Sequence, residues 1–165
     1  MDKQKLYKNA LIDMKERTDQ KNMAIRAFGE FSSSLYSEFG TFLINLNEDG
    51  FKFDINIQRS SSQGIGNMKV FCYDLTLTKI WSMRKQSPKF LIHDSMIFDG
   101  VDERQRAGAL QLAKKTSEMY SFQYICTLNS DMIPHRDLKD LDLERHIVRK
   151  LTDSTEDGGI LGIRL

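Results

Sequence analysis

The chain has 165 residues, of which 40% are hydrophobic and 28% charged, and its net charge is +1. This length supports one globular domain with a core, and the small net charge argues against a strong overall field for nucleic acid or membrane. No segment approaches transmembrane length, and the N-terminus lacks the apolar core of a signal peptide. We therefore expect a cytoplasmic protein with no membrane partner.

The cysteines and histidines indicate no structural zinc site. Cys72 and Cys126 lie in apolar segments, far apart and without the spacing of metal ligands. His93, His135 and His146 show no ligand pattern either. Both cysteines are predicted to be buried and reduced, as in a cytosolic protein.

Residues 3–39 are highly charged, contain no proline and predict one long helix. A heptad seam runs along this segment, although two polar residues, Lys21 and Ser32, fall on it and weaken it. The other seam positions are Tyr7, Leu11, Met14, Thr18, Ile25, Phe28 and Leu35. The helix is either the end of a coiled coil or a solvated amphipathic helix. It divides the chain into residues 1–40 and a lobe of residues 41–165.

Two clear patterns follow the long helix. Apolar residues alternate on both sides of Asn47–Gly50, which predicts a β-hairpin over residues 41–57. After a loop of small residues at 60–66, Asn67 is a candidate cap for a helix that ends near Arg84. Because this helix has apolar residues on nearly every side, we expect it to be buried.

The second half alternates short apolar runs with longer amphipathic ones. It predicts a buried strand at 90–94, a helix from Asp102 or Glu103 to about Met119, a strand at 122–127, a helix at 138–150 and a last strand at 160–165. This alternation is typical of an α/β domain with a small, largely parallel sheet.

Asp94 ends the first of these strands. A carboxylate at the C-terminal end of a parallel strand lies where α/β proteins bind their ligands. Mg²⁺ in phosphate-handling proteins takes one or two carboxylates together with water and phosphate oxygens. An equally simple interpretation is that Asp94 caps the following turn.

The loop at 60–66 precedes a helix N-terminus, where backbone N–H groups and the helix dipole favour an anion. Gly64, Gly66 and Lys69 do not have the spacing of a Walker A motif, and no other segment does. The chain therefore lacks the usual device for holding the β- and γ-phosphates of ATP.

Taken in order, these segments resemble the C-terminal half of an ABC-type ATPase head of the SMC (structural maintenance of chromosomes) class. SSSQGIGNMK resembles a divergent signature motif, FLIHDS a Walker B strand, FDGVD a D-loop and YICTLN a switch strand. The match is close to a bacterial domain of unknown function at the C-terminal end of SMC-like coiled-coil ATPases. It covers essentially the whole chain, with the N-terminal helix as the returning strand of the coiled coil.

The resemblance implies a role for each motif. Asp94 would hold Mg²⁺ through water, and Asp99 and Asp102 would lie in the D-loop that crosses the interface between heads. Asn129 falls near the switch position, where it could hydrogen-bond a phosphate or a water but could not accept a proton as histidine does. The signature residues would grip the γ-phosphate of ATP on the opposite head; they are Ser62 and Gly64, with Ser61 and Gly66 beside them.

Ser95 is the main departure from the family pattern, because it occupies the place of the usual catalytic glutamate. A serine hydroxyl is no general base near neutral pH without an activator. Either Glu103 or another carboxylate replaces it, or hydrolysis is slow and the heads act mainly as an ATP-gated clamp.

The resemblance thus predicts an ATPase only in combination with a Walker A lobe, on the same longer chain or on another. Mg²⁺ and ATP would be the cofactors, the heads would form a homodimer, and DNA repair or anti-phage defence would be the setting. Contact with DNA would involve cations such as Lys85, Lys89, Arg104 and Arg106, which are equally typical of a solvated surface.

Two alternatives belong to other classes. One is a Mg²⁺-dependent nuclease built from Asp94, Asp99, Asp102 and Glu103, which would need these carboxylates to converge on two metals. The other is a non-catalytic dimerisation or docking module in which Ser95 marks a decayed ATP site.

Overall fold

The computed structural model describes residues 3–57, 62–138, 141–155 and 158–159. The helices and strands are α1 (Lys3–Glu16), α2 (Thr18–Tyr36), β1 (Thr41–Asn47), β2 (Gly50–Asn56), α3 (Gln63–Ser82), β3 (Phe90–His93), α4 (Glu103–Tyr120) and β4 (Gln123–Cys126). Short 3₁₀ turns lie at Ser95–Phe98, Ser130–Met132 and Leu143–His146. The predicted mixed α/β class is confirmed, while the strand predicted at 160–165 lies outside the described residues.

The N-terminal segment follows the predicted long helix, but it is interrupted at the single residue Arg17, which separates α1 from α2. The Arg17 N–H still donates to the Asp13 carbonyl, and the Lys21 N–H donates to the Arg17 carbonyl, both at 3.0 Å. Arg17 leaves the helical conformation, with φ −98° and ψ 19°. The Thr18 hydroxyl donates to the Lys15 carbonyl at 2.7 Å, in competition with the backbone donor that would continue the helix. The two helices also differ in burial, since α1 has no buried residue and α2 buries one face that includes Phe28 and Phe31.

The predicted hairpin is confirmed, with β1 and β2 paired antiparallel. Phe42 lies opposite Ile55 and is buried against Phe28 of α2, with 5.7 Å between the two ring centroids. The Gly40 N–H donates to the Ser32 hydroxyl at 2.7 Å and so fixes the path from α2 into β1. The hairpin therefore packs on α2 through one apolar face.

Strands β3 and β4 pair in parallel, as predicted, but β3 is not buried on both sides. Leu91 and His93 face the helices, whereas Phe90 is 49% exposed and Ile92 is 56% exposed. Helices α3 and α4 contact β3 and β4 respectively, and the exposure of Phe90, Ile92 and Ile125 shows that the described residues leave the opposite face open. An apolar run fits either environment, so the sequence did not reveal the open face.

Helix α3 begins five residues earlier than expected, because Ser62 and not Asn67 is its cap. The Ser62 hydroxyl accepts from the Ile65 N–H at 3.4 Å. The buried stripe has helical spacing and consists of Met68, Phe71, Cys72 and Leu75. The expectation of burial on every side is wrong, since Val70, Leu77 and Trp81 lie on the solvent side of the helix.

The helix predicted at 138–150 is also wrong for the described residues, which show only the turn Leu143–His146. Leu141 is buried, and Leu138 and Leu143 contact the core from irregular chain. Val148 is 97% exposed, so the apolar residues do not form one helical stripe. Packing of a few leucines has overridden helix propensity here.

Candidate functional site

The candidate site forms where β3 and β4 end side by side. His93 and Cys126 are the last paired residues, so Asp94 and Thr127 follow at the same level. The Thr127 N–H donates to the His93 carbonyl at 3.1 Å and extends the pairing by one step. The parallel register thus brings the Asp94 carboxylate and the Thr127 hydroxyl together.

Asp94 is exposed, and its two carboxylate oxygens accept different hydrogen bonds. Oδ1 accepts from the Met96 N–H at 3.1 Å, and Oδ2 accepts from the Thr127 hydroxyl at 3.1 Å. The Ser95 hydroxyl adds a long contact to Oδ1 at 3.5 Å. These bonds, with Met96 first, Thr127 next and Ser95 weakest, hold the pKa of Asp94 below its usual value because they favour the ionised form. Asp94 does cap the following turn, and it remains a charged group facing solvent.

The post-β3 loop, residues 94–102, is fixed from the side by Asn67. The Asn67 amide Nδ2 donates to the Met96 carbonyl at 3.1 Å and to the Asp99 carbonyl at 2.9 Å. Asn67 therefore joins the first turns of α3 to the segment that the resemblance assigns to the D-loop. Its role is tertiary, which explains why its cap-like sequence context misled the prediction.

A glycine contact brings the same two segments close together. A Cβ atom added at Gly64 would lie 2.2 Å from the Gly100 carbonyl oxygen. Gly100 has φ +69°, a left-handed conformation that favours glycine. The predicted signature residue Gly64 and the predicted D-loop are thus in direct backbone contact.

The other predicted site residues have defined positions around this unit. Asp102 caps α4 by accepting from the Gln105 N–H at 2.9 Å. Glu103 Oε1 accepts from the Arg136 N–H at 3.1 Å, so this carboxylate is bonded to the loop after β4. Asn129 is exposed and precedes the turn Ser130–Met132.

Ser95, the residue in the place of the family's glutamate, begins the 3₁₀ turn. Its N–H donates to the Thr127 hydroxyl at 3.1 Å. Ser62 and Gly66 are exposed at the start of α3, and no atom of the described residues lies within 4 Å of a Cβ built at Gly66. Ser61 lies outside the described residues.

A buried polar network beneath Asp94 was missed by sequence reasoning. His93 is 6% exposed, its Nδ1 lies 3.1 Å from the Tyr124 hydroxyl and its Nε2 lies 3.2 Å from Asp74 Oδ2. Burial raises the pKa of Tyr124, with smaller contributions from Cys126 and Asp74. The available signal was a histidine on the inward side of an apolar strand, which requires polar partners. This network holds β3 against α3 directly before the site.

The carboxylates do not gather into a metal cluster within the part of the chain that the structure describes. No set of three or more His, Cys, Asp or Glu side chains there is close enough to hold a metal ion. Asp94 is instead a single ionised carboxylate with partly satisfied oxygens. That arrangement fits a cation whose other ligands are water and phosphate oxygens.

Residues 31–165 match a protein family described as "Uncharacterised protein conserved in bacteria (DUF2326)". The chain belongs to this family. Its match begins within α2 and includes every candidate site residue. The expected membership of a bacterial family without an assigned function is confirmed, whereas the link to SMC-like ATPases stays a prediction. No curated protein matches the chain.

Among the described residues, none of the helices combines the length and the apolar composition that a membrane span requires.

The glycine contact predicts different effects for two neighbouring glycines. Gly64→Ala must push the Gly100 carbonyl away, and we expect a loss of about 1–3 kcal/mol in the free energy of unfolding. Gly66→Ala, in open space on the same helix, should be neutral or stabilise by up to about 1 kcal/mol. Urea unfolding followed by circular dichroism compares the two. Equal stability of Gly64→Ala and the unmodified protein would contradict the close contact.

The carboxylate bonds predict a change in the titration of Asp94. Thr127→Val removes the donor to Oδ2, so the pKa of Asp94 should rise towards the ordinary aspartate value. A depressed pKa stabilises the fold above the unfolded pKa, and that stabilisation is lost as the pH falls through the folded pKa. The variant should therefore lose less stability on acidification.

Carboxyl ¹³C NMR as a function of pH measures the Asp94 pKa directly. Thr18→Val is the control, because the Thr18 hydroxyl donates to the Lys15 carbonyl in α1 and not to Asp94. An unchanged Asp94 pKa in Thr127→Val would show that Thr127 does not contribute and that the other donors, Met96 first, lower this pKa.

Proposed function

We propose that this chain is the C-terminal lobe of an SMC-like, ABC-type ATPase head. It would supply signature and Walker B elements to a composite ATP site that a Walker A lobe outside this chain completes. The supporting observation is that the start of α3, Asp94 and the post-β3 loop form one packed unit. Gly64 against Gly100 and the two Asn67 bonds hold this unit together.

Asp94 fits the metal-binding role in this proposal. Its carboxylate is exposed at the end of a parallel strand and has a lowered pKa, so it is ionised at neutral pH. Oδ2 keeps a lone pair beyond the bond from Thr127, and Oδ1 offers a second one where the long contact from the Ser95 hydroxyl gives way. Those lone pairs can accept hydrogen bonds from water on Mg²⁺, and Mg²⁺ would neutralise charge on the ATP phosphates.

The start of α3 fits the signature role. Helix α3 has 20 residues, and Ser62 and Gln63 are exposed at its start, where the Ser62 hydroxyl and the Gln63 N–H can donate. The Ile65 N–H already donates to Ser62, and Gly64 is buried against Gly100. The helix dipole favours negative charge at this end. A γ-phosphate bound to an opposite head would meet these donors, which is why we infer a homodimer through the heads.

The open face of the parallel sheet supports a missing lobe. Phe90, Ile92 and Ile125 are exposed on the side away from α3 and α4. Parallel sheets are normally covered on both faces, and an isolated pair of strands is marginal. A Walker A lobe that adds strands and a second layer would cover these side chains.

Slow hydrolysis follows from the residues around the proposed site. Ser95 is no general base, and Glu103 is engaged with the Arg136 backbone. Asn129 can orient a water but cannot take its proton. We therefore propose an ATP-gated clamp with weak turnover. A setting in DNA repair or anti-phage defence is proposed from the sequence resemblance alone.

The first experiment mixes this chain with the Walker A segment of its own gene or operon. Light scattering and phosphate release are followed with and without Mg²⁺-ATP. Assembly or turnover that needs both segments and Mg²⁺-ATP is the expected result. Indifference of a well-folded chain to ATP would favour the docking module instead.

Asp94→Asn should abolish Mg²⁺-ATP-dependent assembly while the fold remains, because the neutral amide loses the charge that the cation needs. Asp54→Asn, at an exposed position on β2, is the matched control and should assemble normally. Size-exclusion chromatography with light scattering measures assembly, and circular dichroism checks the fold. Normal assembly of Asp94→Asn would refute the metal-binding role.

Ser95→Glu should increase phosphate release from the assembled heads, because it restores a carboxylate at the position of the missing base. The gain should be roughly 10²-fold or more if general-base catalysis is the missing contribution. Ser95→Gln has a similar size and no base, so it serves as the control. An unchanged rate in Ser95→Glu would indicate that another carboxylate already acts as the base.

A further inference from the structure

Trp81 is the only tryptophan of the chain, and it lies in the last turn of α3 with 55% of its surface exposed. A tryptophan contributes a large apolar area and is usually well buried. Here the indole borders an open cavity of about 380 Å³. Arg84, Lys85 and Gln86 form the rest of its lining, and we call it the Trp81 cleft.

The segment that forms the Trp81 cleft contains basic residues and no acidic ones. No acidic residue occurs between Asp74 and Asp94. Arg84 and Lys85 are exposed, and neither forms an ion pair with any carboxylate in the part of the chain that is described. The cleft therefore offers two cations to a ligand.

The two neighbouring lysines are already engaged. Lys79 Nζ lies 3.4 Å from Glu30 Oε2 and over the Phe31 and Tyr120 rings. Lys89 Nζ donates to the Ser82 carbonyl and ties the end of α3 to the start of β3. Two cations of the segment are thus used by the fold, and two face solvent beside an aromatic ring.

Stabilisation of the helix dipole accounts for only part of this arrangement. Cations near a helix C-terminus interact favourably with its partial negative charge, which gives Arg84 and Lys85 a local role. That role needs no exposed indole and no cavity next to it. The combination of a flat aromatic face, a cavity and cations at its rim indicates a ligand that is both aromatic and anionic.

We propose that the Trp81 cleft binds single-stranded nucleic acid. One base stacks on the Trp81 indole, Arg84 and Lys85 contact the flanking phosphates, and the Gln86 amide can hydrogen-bond a base edge. Stacking platforms combined with a cationic track are the usual basis of single-strand binding. The volume lies at the small end of ligand pockets of about 300–1,000 Å³, which suits one base. An acidic peptide would use the cations and leave the indole face without a partner.

This proposal does not depend on the ATP site, because the Trp81 cleft lies at the opposite end of α3 from Ser62 and Gly64.

Because Trp81 is the only tryptophan, its fluorescence reports on the cleft directly. The 165-residue chain is titrated with oligothymidylate of about 10 nucleotides, within the range of known site sizes. Saturable quenching is the expected result. Its affinity should fall with salt with a logarithmic slope of about −1.4, the value for two phosphate contacts on a single strand.

Substitutions separate stacking from charge, with anisotropy of a labelled oligothymidylate as the readout. Trp81→Ala should weaken binding about tenfold, and Trp81→Phe should keep most of it, because a phenyl ring can still stack. Arg84→Ala with Lys85→Ala should weaken binding and flatten its salt dependence. The control is Lys8→Ala combined with Lys15→Ala, which removes the same charge from two exposed lysines on α1. It should change neither the affinity nor its salt dependence.

Several results would overturn the proposal. Absence of quenching would do so, as would equal binding of a blunt duplex, which offers no free base face along its length. Equal weakening of binding by Lys8→Ala with Lys15→Ala would show that the net charge of the protein, and not the Trp81 cleft, attracts the oligonucleotide. Equal quenching by oligoglutamate would identify an acidic protein segment as the ligand instead.

Discussion

The close backbone contact between the start of α3 and the post-β3 loop is the constraint on which the candidate site depends. Gly64 lets the two chains approach until a Cβ would lie 2.2 Å from the Gly100 carbonyl oxygen, and Gly100 adopts a positive φ to present that oxygen. Asn67 then donates to the Asp99 carbonyl and to the Met96 carbonyl, which also accepts from the Asp99 N–H. Together they fix the direction in which the loop leaves β3, and therefore where the Asp94 carboxylate lies.

The register of β3 and β4 is the second feature that positions the site residues. Because β3 and β4 run in parallel and end together, Thr127 meets Asp94, and its hydroxyl adds to the Met96 N–H in lowering the pKa of this carboxyl group. Beneath them, His93 bonds Asp74 and Tyr124 and joins the strand ends to α3. A charged, solvent-facing carboxylate that is held in place by hydrogen bonds suits a role in binding a hydrated cation. For this reason the ATPase-lobe proposal rests on Asp94 more than on the carboxylates of the following loop.

The molecule leaves two different surfaces uncovered, and they suit different partners. The open sheet face with Phe90 and Ile92 is apolar and flat, as expected for a surface that another protein lobe covers. The Trp81 cleft at the far end of α3 combines one aromatic ring with Arg84 and Lys85, so it suits a smaller anionic ligand. The two surfaces can be tested independently, since loss of one leaves the other in place.

Elements whose signals are local could be predicted from the amino-acid sequence. The hairpin around Asn47–Gly50 follows from alternation, and α4 follows from the Asp102 cap and an amphipathic run, so both could be predicted. Tertiary structure decided what depends on contacts between distant segments. Asn67 looks like a cap, but it bonds a loop about 30 residues away, and Ser62 takes the cap. The open face of β3 and the irregular chain at 141–150 likewise depend on which neighbours are present. An apolar residue in the sequence does not indicate which element will pack against it.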